Sequence, residues 1–446
     1  MLDFKKDFPV FQSHPDLVYL DNTATTQKPS HVIDGVAEYL RTWYANIHRG
    51  SYELSEISEK LYIDSKKIVA KHIGAENWKE VIYTSNSTYA LNLLSQSIWR
   101  TGILKKWDTV LLSSVEHHAN IVPWLILKED YGINVEFVAI TDSFEIDYND
   151  FRDKLNSSVK IVSFTHVSNT SWQVFDIENI VSLLHVRYGK ERPLFIVDGS
   201  QSVPHFSVDI QKIGCDALFF TGHKIFADSG IWVLWARESL LVELKPAFSW
   251  GWAIGEVRQD GFTYASKLPD KFEPGTPNLT WAVSLLKAFK YLESIGWYEV
   301  LEKHEQELTE YALQKFKNLS QDTSIQLSPA RGKSELHKTW ASSHLAGENW
   351  ERCLVQKWSI KLIWSTSVKN RVWVFTVVVE GIHSFDISDY LAEHDICIRA
   401  WQHCAEPFMK LMWVNHTCRM SLHLYNTCED IDKFFNVLHQ AILELT

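Results

Sequence analysis

Glycine is scarce in this chain. Its 446 residues include 18, where the ordinary frequency of ~7% would supply about 31. Long apolar runs are missing as well. None reaches the ~20 residues that cross a bilayer, and Met1 to Val10 are charged, without the apolar stretch of a secretory signal. A cytoplasmic protein with no membrane partner is therefore expected. Positive charge is in the minority: 44 Lys and Arg stand against 55 Asp and Glu, for a formal net charge of −11. Such a balance does not capture nucleic acid or anionic lipid. Cysteine is sparse too, six in all with no C-x-x-C pair, which excludes a disulfide scaffold and fits a reducing compartment. One residue is in excess instead. Trp numbers 19, and that surplus beside the glycine deficit asks for a common cause.

The length favours a large and a small domain over a single one. From about residue 80 to 235, short β-rich apolar runs alternate with longer helical patterns. Val81–Thr84, Thr109–Ser113, Val135–Val138, Lys160–Phe164, Leu194–Val197 and Ala217–Phe220 read as buried strands. Helix-sized gaps between most of them predict an α/β fold with a mostly parallel sheet covered on both faces. Ser284–Leu301 reads as a helix bridging two domains, and Ile431–Leu445 as a closing helix. The large domain is expected over residues 20–285. Residues 1–19 and 286–446 are expected to form a smaller α+β domain, with little legible pattern in 330–370.

Ligands of such sheets bind beyond the carboxyl ends of the strands, and two residues stand there with matching chemistry. Lys224 lies in Thr221-Gly222-His223-Lys224, and Asp198, 26 positions earlier, in Ile196-Val197-Asp198-Gly199-Ser200-Gln201. A strand-end Asp followed by a strand-end His-Lys is how an enzyme holds pyridoxal 5′-phosphate. The Lys amine makes the Schiff base, and the carboxylate pairs with the protonated pyridine nitrogen. The same Lys can act as the base that moves a substrate proton. Asp198 could otherwise cap the helix that follows. Gln201 is placed to bond the cofactor's phenolic oxygen. Ser87-Thr88 open a helix after a strand, as a phosphate site or as an ordinary cap, with Thr221 and His223 as natural co-ligands. His117, in Glu116-His117-His118-Ala119-Asn120, can stack on the ring face. The adjacent histidines diverge and have no partners at metal-ligand spacing, so no metal is expected. Cys404, beside His403 and near Arg399, reads either as a small buried hydrophobe or as a nucleophile of lowered pKa. Arg419, between apolar and small residues, suits a clamp on a substrate carboxylate.

Together these segments resemble the cysteine desulfurases of the class V aminotransferase group, in the fold-type I pyridoxal phosphate superfamily, and the SufS-like, group II branch in particular. The likeness runs through Tyr19-Leu20-Asp21-Asn22, Asn46-Ile47-His48-Arg49-Gly50, His117–Trp124, His166-Val167-Ser168-Asn169, Asp198–Gln201 and Thr221–Lys224. It continues through Phe272–Asn278 and Arg399–Cys404 to Arg419 and Tyr425-Asn426-Thr427, and omits only roughly 320–365. The resemblance implies a large domain with a seven-stranded-type sheet. It implies Lys224 as the cofactor lysine, His117 as the stacking residue, Asp198 and Gln201 on the ring, and Thr88, Thr221 and His223 on the phosphate. Asn169 and Arg419 would orient the substrate L-cysteine, with Arg399 and His48 lining the pocket. Cys404 would take the sulfur as a persulfide and pass it to an acceptor protein for iron–sulfur cluster assembly. A homodimer is implied, with Gly275-Thr276 reaching the neighbour's phosphate, and the short stretch around Cys404 favours group II. A selenocysteine lyase, a cysteine sulfinate desulfinase and an inactive cofactor-binding scaffold stay open beside this reading.

The chain departs from the family in one repeated way. Trp107, Trp172, Trp232, Trp250, Trp252, Trp281, Trp373, Trp401 and Trp413 stand where the family has Gly. A bulky side chain resists the positive φ or close backbone approach that such glycines supply. The expectation is that many of these residues are glycine in the organism, at UGA codons that some lineages read as Gly and a common alternative code reads as Trp. Other departures, including Ser85-Asn86, Tyr89, Ala227-Asp228, Gln402 and Tyr52, bear on substrate preference and rate more than on cofactor capture.

Overall fold

The computed structural model describes residues 4–249, 251–321, 325–329, 358–362 and 371–445. Its main sheet has seven strands: β1 (Val81–Thr84), β2 (Thr109–Ser113), β3 (Asn134–Val138), β4 (Val159–Thr165), β5 (Leu194–Asp198), β6 (Ala217–Thr221) and β7 (Trp232–Ala236). The order is β1-β7-β6-β5-β4-β2-β3. Every pair is parallel except those of β7, which runs antiparallel to β1 and β6. That strand was not among the expected ones, and its direction follows from chain length. Only Gly222–Ile231 joins it to β6, whereas a parallel crossover needs a dozen residues or more. The central strands are apolar on both faces, with Val110, Leu111, Leu112, Ile196, Val197, Phe219 and Phe220 fully buried.

The chain reverses its direction of travel across the sheet between β2 and β4, which are neighbours. In open α/β sheets such a reversal leaves a crevice past the strand ends. Asp198 closes β5 at that edge, and the segments that leave β2, β4 and β6 there carry His117, Asn169 and Lys224.

Helices α1 (Ser30–Thr42), α2 (Glu53–Ile73) and α3 (Ser87–Thr101) precede a two-stranded hairpin, β8 (Ile254–Arg258) and β9 (Gly261–Tyr264). The segment expected as one bridging helix is two. α4 (Leu279–Ser294) stops short of Gly296, whose φ of +83° no helix admits, and α5 (Trp297–Gln321) restarts after it.

A second sheet joins β10 (Ile325–Pro329), β11 (Trp358–Leu362), β12 (Val374–Val379), β13 (Arg399–Trp401) and β14 (Thr417–Ser421) in the order β10-β11-β12-β14-β13. Helices α6 (Ser384–Ala392), α7 (Glu406–Leu411) and α8 (Cys428–Glu444) accompany it, α8 opened by a capping box between Thr427 and Asp430. The N-terminal segment is tied to this part: Lys5 pairs with Asp430 at 2.6 Å, and Val18–Tyr19 lie parallel to Ile396–Cys397. Among the described residues no helix is long and apolar enough to cross a membrane.

Candidate active site

Lys224 sits in a single 3-10 turn, Gly222–Lys224, directly after β6. Burial holds its ammonium down to about 8, opposed by Asp198, with Arg419, Cys404 and Arg399 also acting on it electrostatically. Five of the expected residues, each from a different strand, turn or loop, thus act on one another. Two residues on, Phe226 takes a φ of +63° and its N–H donates to Thr26 Oγ1 at 3.0 Å. The lysine turn is therefore held from outside as well as by its own bonds.

Asp198 ends β5, 5% exposed, and its Oδ1 accepts the Ser200 N–H at 2.9 Å. Burial raises its pKa, with the Ser200 hydrogen bonds and Lys224 opposing. A buried carboxylate with so little compensation favours a cationic partner. Gln201 is buried beside it, lining a small chamber with Asn22, Thr23, Lys224, Ser421 and His423.

His117 follows β2. Burial pushes its imidazole down to about 3, and the charges of Lys224, His118 and Arg419 push the same way. Its Nδ1 accepts the Ala119 N–H at 3.1 Å, so the neutral ring carries its proton on Nε2. The ring of His118 diverges from it, 6.3 Å away between centroids at 48°. Glu116, to which no role was given from sequence, lies underneath. It accepts from Thr165 N–H at 2.8 Å and Asn120 Nδ2 at 2.7 Å, pairs with Ser113 Oγ, and burial drives its pKa to about 8. Glu116 is in this way a mostly neutral staple between the His117 loop and β4.

Asn169, Arg419 and the Cys404 loop form one bonded group. Arg419, 3% exposed on β14, donates from Nη1 to the Asn169 carbonyl at 3.2 Å. Asn169 Nδ2 donates to the His403 carbonyl at 2.7 Å, and His118 N–H donates to the Cys404 carbonyl at 2.9 Å. Cys404 is exposed, at φ +54°, and His403 shares that conformation at +53°. His403 is itself buried, its Nε2 against Thr417 Oγ1 at 2.7 Å. Arg399 is turned to Asp21 in a bidentate pair, 3.0 Å from Nε to Oδ1 and 2.7 Å from Nη2 to Oδ2, and Asp21 also lies 3.8 Å from Arg419. Asp21 is a second residue whose part was missed. Its motif was noticed, but only the fold brings it to an arginine 378 positions away.

Several buried polar atoms here have no partner among the described residues: Thr221 Oγ1, Asn169 Oδ1, His166 Nδ1 and Arg419 Nε. Groups of this kind are costly to bury unless something bonds them. An anionic, hydrogen-bonding guest beside Lys224 fits what these residues offer.

The other expected phosphate and pocket residues lie further out. Thr88 is exposed in the first turn of α3, and that helix is capped by Asn86, whose side chain accepts the Tyr89 N–H at 2.7 Å, and not by Thr88. A cavity of about 360 Å³ opens beside this turn, lined by Thr84, Ser85, Tyr89, Gly275, Thr276 and Asn278 among others. His223 is half-buried with its ring 5.6 Å from that of Trp232, and desolvation with Lys224 and Lys28 lowers its pKa to about 3. His48 lines a separate groove with Glu59, Lys79 and Pro269, its ring 4.8 Å from Trp252.

The aminotransferase class-V family matches residues 18–339 and 332–434 of this chain. The chain belongs to that family. Within it, relatives of similar sequence include probable cysteine desulfurases. A probable cysteine desulfurase of Synechocystis is 33% identical over 442 residues, covering 98% of this chain and 94% of that protein. One of Vibrio cholerae is 32% identical over 441 residues, covering 98% and 97%. The apo cysteine desulfurase of Thermococcus onnurineus superposes with a TM-score of 0.84 at 28% identity, covering 99% of both chains. The Escherichia coli cysteine desulfurase CsdA gives 0.81 at 25% identity, covering 99% of this chain and 98% of that one.

Proposed function

We propose that this chain is a cysteine desulfurase of the group II, SufS-like kind, converting L-cysteine to L-alanine and leaving a persulfide on Cys404. The observation that carries this reading is geometric. Arg419 Nη1 donates to the Asn169 carbonyl at 3.2 Å and Asn169 Nδ2 to the His403 carbonyl at 2.7 Å, which ties the Cys404 loop to a buried arginine, while Asp198 and Lys224 stand at the ends of β5 and β6. Lys224 and Asp198 would hold pyridoxal 5′-phosphate at its two ends, with His117 against the ring face and Gln201 beside it. Thr221, His223 and Thr88 would take the phosphate. When bound, the cofactor supplies an electron sink that loosens the substrate's Cα–H and Cβ–S bonds.

The chain's own residues do the rest. Arg419, buried and with Nε unpartnered among the described residues, binds the substrate carboxylate, and Asn169, bonded to the Cys404 loop, keeps that site and the nucleophile in register. Lys224, with a pKa near 8, can give and take a proton at neutral pH. The Cys404 sulfur attacks the substrate sulfur. An S–S bond forms as Cβ–S breaks, the bonding pair stays with the carbon, and the carbon takes a proton to become alanine. L-cysteine and a thiol thus become L-alanine and a persulfide with no outside oxidant.

Only Gln402–Ala405 separate β13 from α7, a compact connection that supports group II over the branch with a long mobile loop. An acceptor protein of an iron–sulfur assembly system would collect the sulfur from the exposed Cys404. A homodimer in the cytoplasm, with Gly275-Thr276 serving the neighbour's phosphate site, completes the reading. The test is Cys404→Ala beside Lys224→Ala. Alanine formation from L-cysteine is expected to stop in both, with visible cofactor absorbance lost only in the second. Undiminished sulfide release by Cys404→Ala would refute the persulfide route.

A further inference from the structure

We propose that the working protein carries glycine at positions 107, 172, 252, 401 and 413. The tryptophans there have φ values of +73°, +62°, +73°, +110° and +56°. No other described tryptophan enters that region, which a Cβ makes costly and glycine's second α-hydrogen does not. His48, Phe144, Phe226, Asp395, His403 and Cys404 also enter it, so the inference rests on five of these eleven residues being tryptophan and on what each turn requires.

The turns are of kinds that call for glycine. Trp413 follows α7 with its N–H on the Lys410 carbonyl at 3.2 Å, while Val414 N–H reaches Met409 at 3.1 Å. That pair of bonds is the Schellman motif, with Trp413 in the left-handed position. Elsewhere the chain fills the left-handed end of a helix with glycine: Gly74, Gly102, Gly132 and Gly214. Trp107 is the third residue of a turn closed by Asp108 N–H on Lys105 at 3.0 Å, the position that needs positive φ in type II and I′ turns. Trp413 and Trp107 are 64% and 67% exposed, so packing does not repay the strain.

The Lys106 ammonium lies 4.9 Å over the Trp107 ring, and Trp172, Trp252 and Trp401 also meet partners. Trp172 lies 5.6 Å under the Arg419 guanidinium, Trp252 4.4 Å under that of Arg49, and Trp401 stacks on Phe385 at 5.2 Å. In glycine form, Arg419 loses an aromatic floor and the Cys404 loop loses a brace. The inference is narrower than the sequence pattern. Trp232, Trp281 and Trp373 have ordinary φ, and Trp250 lies outside the described residues. A UGA codon translated as glycine gives all five substitutions one cause.

Peptide mass spectrometry of the protein from its source cells decides the point. Glycine masses are expected at all five positions, and tryptophan at three or more would overturn the proposal, as would UGG codons in the gene. Independently, a recombinant chain changed Trp→Gly at the exposed positions 107 and 413 is expected to melt roughly 2–6 °C above the literal sequence. An equal or lower midpoint would overturn it too. Neither measurement depends on catalysis.

Discussion

The backbone N–H of His118 holds the carbonyl of Cys404 at 2.9 Å, and the His118 side chain pairs with Glu406, the first residue of α7. The nucleophile's loop is thus latched to the same short stretch that presents His117. Since His403 and Cys404 both take positive φ, local preference does not hold this loop and outside bonds must. Misplacing a reacting group by about 1 Å can cost ~100-fold in rate. His118→Ala and Glu406→Gln are expected to slow persulfide formation on Cys404 by roughly 10-fold, with cofactor absorbance unchanged. Rapid quench with mass detection of Cys404 measures the first and a visible spectrum the second.

Stability should fall on the alkaline side because of Glu116. Its pKa is about 8 in the fold against 4.5 when free. A raised pKa stabilises the fold fully below the free value, and that stabilisation drains away as pH rises through 4.5 towards 8, by up to ~1.4 kcal/mol per unit. His117 and His166, both lowered to about 3 by burial, act in the other direction. Their stabilisation is complete above 6.5 and is lost as pH falls towards 3. Glu116→Gln is expected to keep its melting temperature between pH 6 and 8, where the parent declines, to fall more steeply than the parent between pH 6 and 4.5, and to fall alike with it below 4.5. Parallel curves above pH 6 would show that Glu116 is not the titrating group.

What could be read from sequence was what depends on near neighbours. Six strands were legible because each is a continuous apolar run, and Lys224 and Asp198 because they end two of them. β7 was not, since its direction depends on the brevity of Gly222–Ile231 and its apolar run opens with Trp232. The break at Gly296 was hidden by helical patterns on both sides. Asp21 and Glu116 were named in motifs without a role, because a carboxylate's part depends on what the fold sets against it: Arg399 in one case, Thr165 and Asn120 in the other.

Arg419 should govern substrate capture more than turnover. Its guanidinium is buried, one nitrogen bonds the Asn169 carbonyl and Nε has no partner among the described residues, so a carboxylate can still be gripped in bidentate fashion. Lysine keeps the charge and loses the fork. Arg419→Lys is expected to raise KM for L-cysteine about 10- to 100-fold, the cost of ~1.4–2.7 kcal/mol of a charged hydrogen bond, with kcat reduced much less. Equal losses in kcat and in kcat/KM would instead place the interaction in the transition state alone.

The N-terminal segment is expected to be structural and not an appendage. Phe8 is fully buried, with its ring 4.6 Å from Tyr425, 5.4 Å from Phe226 and 6.1 Å from Tyr291. Those partners belong to the approach to α8, the stretch after Lys224, and α4. One ring therefore joins the second sheet's helix region to the lysine turn. Removing it leaves a cavity that three aromatic walls cannot easily close, and Phe→Ala at such sites costs ~3–5 kcal/mol. Phe8→Ala should lower the guanidinium midpoint accordingly. It should also weaken cofactor retention, because Phe226 packs on Phe8 and sits two residues beyond Lys224. A loss below ~1 kcal/mol, measured by chemical unfolding, would mean that the segment only rests on the protein.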